Sequence, residues 1–200
     1  MVNMYKNGSI WSGFLIGLAG WIFLSTGGGI LGAILFAIGL QAVVYFGSSL
    51  YTGKAGSWEF RVYCLGSDIW GLSKVLIGNI IGCLVIGLLA RFSDTINPET
   101  MAGIISSRSE SSSLEVLAKG IGCGFLMELA VWTWREKKSI LGVLFCVPAF
   151  ILSGFYHSVA DAFYYIAYGK LEWWIGWVYL LTVLGNFIGC SLRRLVMPYK

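Results

Sequence analysis

Charge is what this sequence has least of. Only 12% of its 200 residues are charged, against about a quarter in an average soluble domain. Hydrophobic residues make up 57%, and the mean hydropathy is +0.77. Those values exclude an ordinary soluble fold, and the chain reads as a single polytopic membrane domain, residues 1–200, in contact with the lipid bilayer. The formal net charge of +4 then reports topology rather than an acidic partner, and nucleic acid is not implied. Paired cysteines are also missing. Cys64, Cys83, Cys123, Cys146 and Cys190 stand singly, without CxxC or Cys/His ligand spacing, and read as small apolar fillers. Histidine occurs once, which with unpaired cysteines gives no metal site, and no cofactor is expected.

That one histidine is where the chain concentrates its chemistry. The stretch Ser153-Gly-Phe-Tyr-His-Ser-Val-Ala-Asp-Ala-Phe163 puts His157 and Asp161 inside a long apolar segment. A charge at the centre of a lipid-exposed helix costs roughly 2.5 to 3.5 kcal/mol, so such groups normally face a protein interior or a water-lined path. Glu128 is the second such acid, set mid-helix between Leu126-Met127 and Leu129-Ala130-Val131 with no cap to serve. A hydrolytic set of His157, Ser158 and Asp161 is disfavoured, because i and i+1 neighbours on a helix do not face each other. The chain is not read as an enzyme.

About 20 apolar residues cross a bilayer, and six spans are expected, near 10–26, 29–51, 72–91, 115–134, 139–168 and 172–192. The first, with Lys6 ahead of it, imitates a secretory signal, but no small-x-small site ends it and equally apolar spans follow. The second and fifth spans read as broken. The apolar pattern collapses after Leu50-Tyr-Thr-Gly-Lys-Ala-Gly-Ser57, and Ser153-Gly154 interrupts span 5. Irregular backbone at membrane depth survives only inside protein or beside a cavity, so both breaks point inward. Lys6, Lys54, Arg61, Lys74, Arg135, Lys137, Lys138, Arg193, Arg194 and Lys200 fall on one side, against Arg91, Arg108 and Lys170 on the other. Both termini are therefore expected in the cytoplasm of a cell-membrane protein. The serine-rich Ser106 to Ser113 stretch reads as a solvated outer linker.

A repeat underlies the six spans. Gly78-Asn79-Ile-Ile-Gly82-Cys83 recurs as Gly185-Asn186-Phe-Ile-Gly189-Cys190, an offset of 107 residues, at which Gly13 and Gly17 meet Gly120 and Gly124. Three spans per repeat make the halves inverted, a plan that places substrate sites near the midplane between them. Leu50 pairs with His157 at this offset, bringing the two breaks together.

These residues resemble the formate/nitrite transporter family over nearly the whole chain. The matching motifs are Leu50-Tyr51-Thr52-Gly53, Gly78-Asn79-x-x-Gly82, Leu129-Ala130-Val131-Trp132, Gly154-Phe155-x-His157-Ser158-Val159-Ala160 and Leu184-Gly185-Asn186. The resemblance implies an all-α, aquaporin-like protomer of six transmembrane helices, assembled as a homopentamer with one pore per protomer. It makes His157 the central pore histidine and Thr52 its loop partner. Phe36, Phe150 and Met127 fall at an outer constriction, and Leu40, Leu50 and Tyr51 at an inner one. Arg108 falls near a vestibule lysine of the family. The chain departs from the family at Tyr156, which replaces an acid, at Asp161, which replaces an amide, and at Gly124, which replaces an asparagine. Glu128 stands where a small neutral residue is usual, and Ser139, next to Lys138, where a lysine is typical.

Two carboxylates gained in the apolar zone point to a cation, since acidic rings favour cations and basic ones anions. The leading expectation is therefore a channel for ammonium or ammonia, with Glu128 and Asp161 attracting NH4+ and His157 holding or relaying its proton. The alternative is a weak-acid anion, such as formate, nitrite or hydrosulfide, protonated near His157 before it crosses. Each residue also has a purely structural reading. His157 could be a satisfied buried histidine, Asp161 a helix-terminus or loop-anchoring acid, and Glu128 a neutral or hydrogen-bonded glutamate at a subunit contact.

Overall fold

The computed structural model describes residues 8–56 and 65–196; Lys6, Arg61, Cys64 and Lys200 lie outside them. The described residues form α1 Ser9–Ser25, α2 Gly29–Tyr45, α3 Tyr51–Ala55, α4 Leu65–Arg91, α5 Pro98–Glu110, α6 Ser113–Lys137, α7 Leu141–Leu152, α8 Ser158–Tyr168 and α9 Trp173–Val196. Large apolar side chains are displayed outward on α2, α4 and α9, among them Ile30, Ile34, Leu84, Leu88 and Leu180. Ile69–Arg91 and Trp173–Arg193 are long and apolar enough to cross a bilayer. An outside carrying this many large apolar side chains suits lipid as solvent.

Helix α1 packs on α4 and α6 on α9, while α2 meets α7. The short helices cross between the halves, α3 packing against α9 and α8 against α4. Glycine makes the long contacts close. A Cβ on Gly82 would strike Ile10 O, and one on Gly189 would strike Ile121 O. One on Gly13 would strike Asn79 O, and one on Gly124 would strike Asn186 O. These equivalences set α1 against α6 at an offset of 111 residues (10 to 121, 13 to 124) rather than 107. The first helix of the repeat is thus four residues, about one turn, out of the expected register.

The other parts keep the 107-residue offset. Gly47 and Gly154, at φ 62° and 67°, end the first halves of the two broken spans in left-handed conformations that favour glycine. Leu50 and His157, both extended, are the N-caps of α3 and α8. Span 2 therefore breaks earlier than expected: α2 ends at Tyr45, and Tyr51 belongs to the next helix. The serine-rich stretch is also corrected. Ser106 to Glu110 close helix α5, started by an Asn97 cap and Pro98, and Ser112 caps α6. The segment is mostly exposed as expected, but it is helical and held to the bundle: Ser107 and Ser111 hydrogen-bond the Tyr156 hydroxyl at 3.0 and 2.9 Å.

Two asparagines hold the breaks. Asn79 Oδ1 accepts from Tyr51 N–H at 2.9 Å, and its Nδ2 donates to Ser49 O at 3.0 Å and Ser9 O at 2.7 Å. Asn186 Oδ1 accepts from Ser158 N–H at 2.8 Å, and its Nδ2 donates to Tyr156 O at 2.8 Å and Gly120 O at 2.9 Å. Each amide satisfies the backbone that a helix break would orphan. Asn186→Leu keeps the volume but strands two buried backbone groups at the break, Ser158 N–H and Tyr156 O, at about 1–3 kcal/mol each. A thermal melt of the detergent-solubilised protein should show a large drop in Tm, and an unchanged Tm would refute this role.

Candidate functional site

The site is built where the two short helices meet. His157 caps α8 with its ring: Nδ1 accepts from Ala160 N–H at 3.1 Å. A nitrogen that accepts carries no proton, so the neutral ring has its hydrogen on Nε2. Nε2 lies 3.2 Å from Thr52 Oγ1 in α3 and donates to it. Both side chains are buried. Thr52 Oγ1 has no other partner among the described residues, which leaves the hydroxyl hydrogen available to an acceptor. The His157 ring stacks on Phe150 at 5.6 Å between centroids, and Phe150 meets Phe36 edge-on at 6.0 Å.

Two cavities lie near this pair, one walled by His157 and the other by Gly53, next to Thr52. One, of about 360 Å³, lies beneath α5 and is walled by Arg108, Phe150, His157, Asp161 and Tyr164. The other, of about 200 Å³, lies at α3 and is walled by Leu50, Gly53, Lys54, Arg135 and Lys138. They share no lining residue. Buried Phe36, Leu40 and Thr52 line neither cavity. The two cavities are thus separate, with the buried imidazole–hydroxyl pair beside both.

Of the residues singled out in the sequence, His157 and Thr52 are in contact, Phe36 and Phe150 are in contact, and Leu50 walls the α3-side cavity. Met127 is buried and lines neither cavity. Tyr51 donates through its hydroxyl to Val183 O at 3.2 Å and lines a separate apolar groove between α4 and α9.

The two acids differ most from expectation. Asp161 walls the α5-side cavity, but its Oδ1 accepts from Arg108 Nε at 3.0 Å and Nη2 at 2.5 Å. It anchors α5, not the segment between α2 and α3. Glu128 lines neither cavity and is fully buried, with Arg193 Nε at 2.8 Å and Arg135 Nη2 at 3.3 Å from Oε1. It is an interhelical ion pair inside the protomer. The grounds for reading these acids as cation ligands are therefore gone. Sequence reasoning had used Arg193 and Arg135 only as markers of sidedness, and Asn79 and Asn186 only as markers of the repeat.

A sequence profile described as "Formate/nitrite transporter" matches residues 4–199. The chain belongs to the formate/nitrite transporter family. It is an integral membrane protein, and its matched relatives are channels and transporters rather than enzymes. The chain is 32% identical over 181 residues to the uncharacterized transporter YrhG of Bacillus subtilis (strain 168), covering 80% of this chain and 66% of that protein. It is 27% identical over 176 residues to the formate channel BtFdhC of Bacillus thuringiensis, covering 80% and 68%. It is 25% identical over 138 residues to the nitrite transporter NirC of Escherichia coli (strain K12), covering 63% and 51%. The matches thus span about half to two thirds of these relatives' lengths. Among solved structures, a pentameric formate channel with formate bound superposes with a TM-score of 0.78 at 20% identity, covering 95% of this chain and 92% of that one. An FNT family ion channel gives 0.77 at 24%, covering 92% and 84%. The fold is the aquaporin-like one of the formate/nitrite transporter family.

Proposed function

We propose that the protein passes a small monovalent weak-acid anion of the formate or nitrite kind through the path at His157 and Thr52. It does so as a homopentamer in the cell membrane, with both termini cytoplasmic. The observation that carries this reading is the pairing of both intramembrane acids with arginine: Asp161 with Arg108, and Glu128 with Arg193 and Arg135. Neither acid then supplies the uncompensated negative field an ammonium path needs, and ammonium is set aside. Lys54, Arg135 and Lys138 on the α3-side cavity give that end a basic wall. The names of the matched relatives, a formate channel and a nitrite transporter, support the same choice.

The geometry also limits what His157 does. Protonating Nδ1 would set a donor against the Ala160 N–H and break the cap of α8. As held, the ring offers one hydrogen, on Nε2, and Thr52 offers another. These are hydrogen-bond donors for an acceptor crossing the apolar middle. The proton that neutralises the anion comes from the solvated vestibules, where a weak acid takes it up before the constriction. Flux of formate, nitrite and ammonium into proteoliposomes, measured side by side, tests the reading. Formate and nitrite are expected to pass at rates that rise as the pH falls, and ammonium is expected to stay near the empty-liposome level. Ammonium flux without formate flux would overturn the proposal.

A further inference from the structure

Arg108 and Asp161 are the charged side chains among the described residues that wall the α5-side cavity, so this vestibule has no net charge. Their contact has an unusual form. Arg108 Nε and Nη2 both converge on Oδ1 of Asp161, while Oδ2 is buried with no hydrogen-bond partner among the described residues. Nη1 donates to Ile104 O at 3.2 Å. Three of the five guanidinium N–H groups are thus accounted for, and two have no acceptor among the described residues. The guanidinium is held in place by aromatic faces, 4.5 Å from the Tyr156 centroid and 5.6 Å from that of Tyr164. Arginine's preferred partner is a carboxylate offering both oxygens side by side to its fork. Asp161, tethered to α8, offers one.

The geometry points to Asp161 as a built-in competitor for Arg108: an intramolecular carboxylate that occupies the arginine's fork in place of the permeating anion. This rests on the anion reading above and specifies how that anion is handled at the α5-side vestibule. A buried arginine with no counter-charge would bind formate or nitrite firmly and hold it. Conduction requires a site favourable enough to enter and weak enough to leave. With Asp161 in the fork, an arriving anion must displace a partner already present. Arg108 then donates to an anion that has entered without trapping it, and its charge is balanced when the vestibule is empty.

Asp161→Asn removes the competing charge and keeps the shape. In proteoliposomes its half-saturating formate concentration is expected to fall about tenfold, equivalent to about 1.4 kcal/mol, with a lower maximal flux because release becomes slow. Arg108→Gln combined with Asp161→Asn should abolish this tightening. Should Asp161→Asn alone be poorly folded, formate added during purification is expected to rescue it by filling the fork, raising its Tm far more than that of the wild type. A folded Asp161→Asn protein with wild-type half-saturation would overturn the inference, as would an unfolded one that formate does not rescue. Wild-type liposomes serve as the separate control. If they pass neither formate nor nitrite, the anion reading itself fails; if they pass both while Asp161→Asn shows no tightening, only the competitor role fails.

Discussion

Glu128→Gln is expected to destabilise the protein by about 3–5 kcal/mol, the usual result of removing one partner from a buried ion pair. It is expected to leave the formate-to-ammonium flux ratio of the surviving protein unchanged. The carboxylate is fully buried, and Arg193, itself 2% exposed, donates to it from α9. Arg135 reaches the same oxygen from a later turn of α6. Glutamine keeps an acceptor for one donor but leaves the Arg193 charge uncompensated in an apolar setting, where the loss exceeds that of a surface pair. Gly56, just beyond α3, lies against the other carboxylate oxygen so closely that a Cβ there would overlap it. The buried carboxylate is thus packed directly against the C-cap of α3, one turn beyond Thr52. Melting curves and the fraction recovered as intact oligomer measure the effect, and Glu128→Gln with Arg193→Gln should recover part of the loss. Wild-type stability combined with altered selectivity would instead place Glu128 on the path.

The contrast between Glu128 and His157 shows what could be read from the chain. The break at Ser153-Gly154, the pairing of Leu50 with His157 and the contact of Thr52 with His157 follow from local residue pattern and family motifs, and the structure contains all three. The partners of the acids do not follow. Glu128 on α6 meets Arg193 on α9 across 65 residues, and Asp161 on α8 meets Arg108 on α5 across 53, because each pair joins helices that pack in space but lie far apart in the chain. A sequence shows that an acid is costly in an apolar segment, but not which distant cation offsets the cost. The register of the repeat was misread for a related reason. Gly13, Gly17, Gly120 and Gly124 recur at intervals of four, so an offset of 107 matches two glycine pairs where the true offset of 111, one turn away, matches only Gly13 with Gly124. Backbone collisions at Gly82 and Gly189 decide between them. Composition misled at Ser106 to Ser113 too. Serine suggested a linker, although Asn97 followed by Pro98 is a helix start.

Replacing His157 has the largest expected effect on flux, and two substitutions separate its two jobs. The ring caps α8 through Nδ1 and presents a hydrogen toward Thr52 through Nε2. Asparagine is a good N-cap, so His157→Asn should keep α8 in place and melt near the wild type. Its shorter amide cannot occupy the Nε2 position, and Thr52 loses its donor. Phenylalanine fills the ring's place against Phe150 but caps nothing, costing about 0.5–2 kcal/mol, and offers no hydrogen to the crossing acid. If His157 and Thr52 together replace part of the water the neutralised acid sheds, leaving one of its acceptors unsatisfied in the apolar middle costs about 1–3 kcal/mol at the barrier. That corresponds to roughly 5- to 150-fold in rate. Both variants should therefore drop formate flux by that factor or to background while still assembling, His157→Phe with the lower Tm. The pH dependence supplies the decisive reading. With the proton taken up in the vestibules, the residual flux of His157→Asn should still rise as pH falls, with the slope of the wild type. Were the ring itself the proton donor, that slope would disappear along with the histidine, and the vestibule route would be wrong.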